Sequence, residues 1–580
     1  MPENSEPFAC GFRGSKNDTA EFSAPTAPTA FTNGTQIRTY RIAFSATRQY
    51  TNFFNGDVTA AFAGIQTTVN RLITIYRRDL ATTFMLVSGA NTVSTDANPN
   101  GFTGDSLMDL ARNQIVLDQI IGTANYDIGH VLSGGPNVGG VASSPSLCSP
   151  AQKAEGFTGS PTPNTDAFLV DFVAHEIGHQ FGMSHTFNND IDGTCNQREP
   201  NSAYEPASGV TIMAYGGICA PRNMSANSIE YFNLRSFDQT LDYLQNTVPQ
   251  QYQGCGTITP TGNTPPPVTT AASFNIPKQT PFTLTATATD VNGDALTYLW
   301  EEFDLGAPTR SGGAVDTDED GTARPIFRAY NATASSSRTF PNLYYILNNA
   351  NTPPLTYTGR LPFAPTTGAT IGYVCATDET CVTGERLPSI SRTMNFRVTV
   401  RDNNAGGGIV ADAATSVVVN AAAGPFIVNT ENTPTTWQGG TQQIITWNVA
   451  NTNAAPISAA NVKISLSTDG GQTFPITLSA NVPNDGTRQI TVPNTATTQG
   501  RIKVEAVGNI FFDINNSNFT ITGSTVVNHK QFDFDGDGKA DVAVFRPSSG
   551  AWYLNQSQAG FTGVSFGAAT DLPTPNAFVP

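Results

Sequence analysis

The sequence is poor in charge. Asp, Glu, Lys and Arg make up 13% of its 580 residues, about half the usual share. Basic side chains are the minority, and 30 Lys and Arg against 46 Asp and Glu leave a net charge of −16. A chain this acidic, with few basic clusters, is a poor match for nucleic acid or an anionic membrane; its diffuse negative charge suits solubility. No uninterrupted apolar run reaches the length of about 20 residues that a membrane span needs. The opening MPENSEPFACGFRGSK lacks the basic stretch and apolar core of a secretory signal. Either the protein is not exported or this chain begins downstream of its signal, and the features below favour export. CxxC pairs and Cys/His clusters are missing, so nothing points to a zinc ribbon. The seven cysteines, Cys10, Cys148, Cys195, Cys219, Cys255, Cys375 and Cys381, are scattered, as in disulfide-bonded proteins of oxidising compartments. Cys375 and Cys381 form a local pair, and the odd count leaves one thiol without an intramolecular partner.

Turn formers are plentiful, with 52 Gly and 38 Pro, and 39% hydrophobic residues support folded domains. The length predicts about three to five of them. After an N-terminal segment, 1–34, residues 35–250 alternate between strand and helix patterns. Ile37–Ala46, Thr82–Gly89 and Tyr126–Ser133 read as strands. Val58, Phe62, Ile65, Val69, Leu72, Ile73 and Tyr76 recur at helical spacing, and a second helix is expected near Leu107–Ile121. This is a mixed α/β (α+β) domain. TITPTGNTPPPV falls in a Pro/Thr/Gly linker, 251–268, after which helical periodicity disappears. Strands such as FTLTATATD and NFRVTVRDN predict an immunoglobulin-like β-sandwich over 269–424, interrupted by an irregular insertion at about 303–392. A second sandwich is expected over 425–522, with a hairpin turn at Asp469–Gly471. The remainder, 523–580, reads as one repeat unit of a larger array.

HEIGHQFGMSH, residues 175–185, holds three of the five histidines. A helix is expected over Asp166–Gly182, capped from Asn164–Asp166. On it His175 and His179 lie one turn apart and share a face, a spacing at which a zinc ion can accept both imidazoles at about 2.0–2.1 Å. Glu176 projects beside them, placed to act on water rather than to ligate. Gly182 permits a left-handed turn that brings His185 in as third ligand. Three imidazoles leave a fourth position open, the pattern of a catalytic rather than a structural zinc. Zinc lowers the pKa of water toward about 7, and Glu176 is expected to take its proton and pass it to the leaving amine.

HExxHxxGxxH resembles the zinc signature of the metzincin metalloproteases. A methionine turn is a second element of that family, and SGVTIMAYGG supplies Met213, 28 residues after His185. Within metzincins, IRTYRIAFSA, TTVNRLITIYRRDL, NYDIGHVLS and FVAHEIGHQFG resemble bacterial secreted reprolysin-like proteases. The resemblance implies that GGVASSPSLC is an edge strand above the cleft, binding extended substrate by strand addition. The chain departs from reprolysins where they carry Asp after the third histidine: here Thr186 stands there, and HTF is closer to pappalysin-type sequences. MAY also replaces Met-x-Pro. Tyr215 resembles the astacin and serralysin tyrosine that ligates zinc and stabilises the oxyanion; a packed aromatic is the other reading. Cys195 and Cys219 flank the Met turn, and a disulfide between them would pin it. For Cys10, in PFACGFRG, two readings stand: a zymogen switch whose thiolate fills the open zinc position, or a disulfide with Cys148 or Cys255. His130 and His529 read as structural or surface histidines.

DFDGDGKAD sets Asp533, Asp535, Asp537 and Asp541 at positions 1, 3, 5 and 9 of a loop wound through Gly536 and Gly538. Oxygen ligands so spaced suit calcium. With Val544 where an EF-hand has glutamate, the segment instead resembles an FG-GAP or VCBS-type repeat. DVNGD, Asp290–Asp294, reads as an Asx turn. The whole predicts a secreted or cell-surface, bacterial zinc endopeptidase acting on proteins or peptides, with calcium in its terminal repeat. Its β modules would serve as spacers or dock on cell-surface or matrix components. The competing reading is an adhesin with an inactive metzincin domain, against which the intact Glu176 and three histidines weigh.

Overall fold

Alternation in QIRTYRIAFSA gives a strand whose C-terminal half is buried on both faces, the core of the sheet that carries the site. A computed structural model of the chain describes residues 9–14, 32–135, 139–189, 195, 197–220, 222–245, 255–306, 324–360, 374–377, 380–523 and 532–571. The strands are β1 Ala9–Gly14, β2 Thr32–Asn33, β3 Gln36–Ala46, β4 Thr82–Leu86, β5 Ile128–Ser133, β6 Gly139–Ser144, β7 Gly156–Gly159 and β8 Thr257–Pro260. All but β2 form one sheet, β1-β6-β7-β5-β3-β4 with β8 also on β3, while β2 pairs with Val410 and Ala411. β3, β4, β5 and β7 are parallel neighbours, and β6 is antiparallel to β7.

Helix α1, Arg48–Phe53, precedes the long α2, Val58–Leu80. The carboxylate of Asp57 caps α2 by accepting the N–H groups of Thr59 and Ala60. Its inward stripe of Ile65, Val69, Leu72 and Tyr76 is buried against Phe84, Phe181 and Phe232, as the helical spacing requires. α3, Ser106–Ile120, is capped by Asp105, and α5, Leu234–Gln245, closes the domain.

The helix expected over 166–182 is not uniform. Phe168–Ala174 is π-helical and only His175–Gln180, α4, is α-helical. The wide turns shift the register just before the histidines, a device that recurs at functional sites. The cap falls within the expected Asn164–Asp166: the Thr165 hydroxyl accepts the Phe168 N–H at 3.2 Å.

Two further expectations are corrected. Part of the linker is a strand: β8 pairs antiparallel with Gln36–Thr39, because β5 covers only Ile42–Ala46 of that edge of β3 and leaves backbone groups to satisfy before it. The Cys148–Cys255 disulfide holds the same crossing. The insertion is not wholly irregular either. Ser337–Phe340 pairs with Phe282–Thr285, since Phe340 supplies a ring that stacks on Phe282 at 5.0 Å.

Met1–Pro434, Ile444–Ile490 and Gln499–Asn518 form one compact unit; Thr435–Gln443, Thr491–Thr498 and Phe519–Pro580 form a second. In the first unit the sheet Ser273–Pro277, Val410–Asn420, Arg392–Arg401 and Thr297–Glu302 follows the α/β region, and it is joined to that region by buried charge. Arg401 bonds Asp79 at 2.8 Å and Arg397 bonds Asp238 at 2.9 Å. Asn233 donates to Glu301 at 2.7 Å, and Tyr204 stacks on Phe303 at 4.2 Å. Strands Asn461–Ser467, Ile476–Pro483 and Thr497–Ala506 continue the β-rich part. In the second unit Val542–Arg546, Ala551–Gln556 and Gly560–Ser565 form a three-stranded sheet. No helix among the described residues is long and apolar enough to cross a membrane.

Candidate metal centre

α4 presents His175, Glu176 and His179, all buried. Gly182 then adopts φ 86°, and the chain reverses through bonds from Gly182 N to the His179 carbonyl (2.8 Å) and from Met183 N to the Gly178 carbonyl (3.0 Å). The reversal delivers His185, so the three histidines converge. Each ring is set from its far side: His175 Nδ1 lies 2.7 Å from the Ile212 carbonyl, His179 Nδ1 2.7 Å from that of Met183, and His185 Nδ1 2.7 Å from that of Gln197.

A carbonyl only accepts, so all three Nδ1 atoms carry protons and donate. The Nε2 atoms of the neutral rings then hold lone pairs, and those of His175 and His185 each lie 3.1 Å from that of His179. Burial keeps the rings neutral, holding His175 down to about 4 and His185 to about 3, with His179 also lowered. Three lone pairs turned on one another repel unless a cation sits among them. The donor set therefore fits a zinc ion.

Glu176 is buried against β6: a Cβ at Gly140 would overlap its carboxylate. Beneath α4, a Cβ at Gly178 would overlap the sulfur of Met213, so the methionine supports the helix through the one position without a side chain. Tyr215 is buried, its ring 4.4 Å from Phe187 and 4.8 Å from His185. Its hydroxyl donates to Gln197 Oε1 at 3.4 Å. The Cys195–Cys219 disulfide packs beside it.

The strand expected at the edge is not the edge. β6 carries β1 on its outer side in parallel register, with Cys10 opposite Gly140. Disulfides Cys148–Cys255, Cys195–Cys219 and Cys375–Cys381 use the other six cysteines, so neither Cys148 nor Cys255 pairs with Cys10. His130 is structural, with Nδ1 3.1 Å from Gln180 Oε1 and Nε2 2.8 Å from Thr158 Oγ1. His529 lies outside the described residues.

Sequence reasoning missed Glu205. This buried carboxylate accepts from Thr186 Oγ1 at 2.6 Å and from the N–H groups of Val210 and Thr211 at 2.8 and 3.0 Å. Burial raises its pKa and these donors offset part of the rise. The available signal was its isolation: it is the sole charged residue between Glu199 and Arg222. Gly140 and Gly178 gave no signal, because the close approaches that require them are tertiary.

In the second unit Asp533, Asp535 and Asp541 bring carboxylate oxygens within 4.8 Å of one another. Gly536 and Gly538 take φ 78° and 81°, as the tight loop requires. Asp537 is not in that group; its carboxylate instead accepts the Ser557 hydroxyl at 2.6 Å and the Lys539 N–H at 2.8 Å. DVNGD is an Asx turn, Asp290 Oδ1 accepting the N–H groups of Asn292 and Asp294.

Residues 36–243 match the family model described as Metallo-peptidase family M12B Reprolysin-like. This region is a reprolysin-like metallopeptidase domain. M12B domains are those of zinc metalloproteases, in agreement with the histidine triad. Comparison with curated proteins finds no match. Among solved structures, Sidekick-1 immunoglobulin domains 1–5 are 11% identical over 44% of this chain and 39% of that one, at a TM-score of 0.12. A chimeric titin Z1Z2 is 9% identical over 44% of this chain and 97% of its own, at 0.11. A Dscam structure is 11% identical over 44% and 45%, also at 0.11. Likeness at these scores does not establish a shared fold. The chain thus spans well under half of the Sidekick-1 chain it matches.

Proposed function

We propose that the protein is a secreted or cell-surface zinc endopeptidase of bacterial type, in which His175, His179 and His185 hold the metal and Glu176 is the general base. The observation that carries this is the meeting of three Nε2 lone pairs beside a buried Glu176. Zinc bound there supplies Lewis-acid polarisation of the scissile carbonyl and lowers the pKa of water. Glu176 accepts the proton of the attacking water and returns it to the departing amine. Met213 supports the helix from below, and Gly182 sets the turn that makes His185 reachable. Tyr215, bonded to Gln197 and packed at a tilt against Phe187, lies against His185; whether its hydroxyl also serves the oxyanion is read from Tyr215→Phe, which keeps the ring.

The N-terminal strand bears on latency. Cys10 stands opposite Gly140, the residue against which Glu176 packs, and the remaining six cysteines are paired. This register supports Cys10 as a switch residue, with residues 1–34 a segment to be removed. The disulfides favour an oxidising compartment. For the terminal repeat, the convergence of Asp533, Asp535 and Asp541 supports structural calcium, with Asp537 outside the first set. Substrates are proteins or peptides in extended form, which β6 receives once β1 leaves.

The test is zinc analysis together with cleavage of an unstructured protein by the wild type, before and after removal of residues 1–34, and by Glu176→Ala. The expected result is one zinc per chain, cleavage enhanced by the removal, and a loss of about 10²–10⁴-fold in Glu176→Ala. Zinc without chelator-sensitive cleavage in either form would refute the enzyme and favour an adhesin.

A further inference from the structure

Glu205 adds a side-chain tie between two segments that also meet through the bond from the Thr186 N–H to the Met213 carbonyl at 3.1 Å. Its carboxylate accepts the Thr186 hydroxyl at 2.6 Å, the Val210 and Thr211 N–H groups at 2.8 and 3.0 Å, and the Thr211 hydroxyl. Its own N–H donates to the Thr186 carbonyl at 2.8 Å, and its carbonyl accepts the Asn188 N–H at 2.9 Å. Thr186 follows His185 directly. Thr211 precedes Ile212, whose carbonyl takes the Nδ1 proton of His175 at 2.7 Å. One side chain thus sets the segment after the third histidine against the turn that orients the first.

We infer that Glu205 is a positioning residue for the metal centre, a hydrogen-bond staple that fixes His185 relative to His175. This rests on the zinc reading above. The staple also accounts for Thr186: the hydroxyl there is a donor fitted to a carboxylate that comes from elsewhere in the chain. Its bonding partners are two hydroxyls and two backbone N–H groups, all neutral, so the staple needs geometry rather than charge. A glutamine fits the same pattern. Its oxygen can take the two N–H groups, and its amide nitrogen can donate to the hydroxyls of Thr186 and Thr211.

The experiment uses the full chain and measures zinc affinity by chelator competition, peptide hydrolysis, and melting of the zinc-stripped and zinc-loaded protein. Glu205→Ala is expected to weaken zinc by about 10–100-fold, the range for groups that orient metal ligands. Glu205→Gln, with every partner satisfied, stays within about threefold of wild type. Thr186→Asp alone sets a second buried carboxylate against the first and weakens zinc; in the Glu205→Ala background it returns a carboxylate to the same donors and strengthens zinc. That reversal of sign is a signature that general destabilisation does not produce. A merely structural Glu205 would lower the melting of stripped and loaded protein alike and leave zinc affinity unchanged, which would overturn the inference. So would a Thr186→Asp effect of the same sign in both backgrounds. Wild-type protein that takes up no zinc would instead refute the metal reading itself, a distinguishable failure.

Discussion

At the histidine centre each Nε2 is aimed by a bond made on the opposite side of its ring, to the carbonyls of Ile212, Met183 and Gln197. In the acidic loop the backbone bonds the very oxygens that would meet a cation. Asp533 accepts from Gly536, Asp537 and Gly538, and Asp535 from Gln558 and Ala559. The first arrangement turns three buried lone pairs toward one another, so it is costly without a cation. The second has hydrogen-bond donors on its carboxylates already, and N–H donors lower the pKa of Asp535.

The comparison can be broken most directly at its stronger side. His179→Ala removes the central ligand, and bound zinc is expected to fall below about a tenth of the wild-type stoichiometry, with hydrolysis lost; metal analysis after gel filtration checks it. Gly140→Ala keeps all three ligands but pushes a methyl group into the Glu176 carboxylate. Here zinc should stay bound while kcat drops about 100-fold, the scale of a small misplacement of a catalytic group. On the weaker side, calcium should raise the melting of the terminal repeat with a midpoint at about 10⁻⁴–10⁻³ M. Asp533→Ala should abolish that response and leave peptide hydrolysis unchanged. A strong loss of hydrolysis in Asp533→Ala would show that the two sites are not independent.

The smallest effect concerns the helix that bears the histidines. Burial pushes the Asp171 carboxyl from its usual 3.8 up to about 8, so the folded chain keeps a proton that the unfolded chain has already released. Its contribution to stability is full below 3.8 and is lost as pH rises through about 8. Asp171→Asn should therefore match wild type at acid pH and melt about 2–4 °C higher near pH 8. An Asn variant with the same advantage at every pH would contradict that account.

The histidine centre was legible because its spacing is local: four residues place His175 and His179 on one face, and one glycine frees the turn to His185. The strands and helices of residues 35–250 were legible for the same reason, from periodicity. What escaped detection depends on contacts between distant segments. The π-helical register of Phe168–Ala174 follows from packing rather than composition. The pairing of β8 with β3, and of β1 with β6, joins segments far apart in the chain, and nothing in either segment alone announces its partner. Asp537 shows the limit of spacing as evidence. It sits at the right interval, yet Ser557 engages it.

The buried pairs Arg401–Asp79 and Arg397–Asp238 have a practical corollary. A fragment ending after α5 would leave Asp79 with Arg78 at 2.8 Å but without Arg401, and would leave Asp238 without Arg397. Orphaning one member of a buried pair costs about 3–5 kcal/mol, comparable to much of a domain's net stability. Trimming to the stretch that carries the family signature is therefore expected to lower its stability, whereas a fragment through residue 412 keeps Arg401 and Arg397 with their partners.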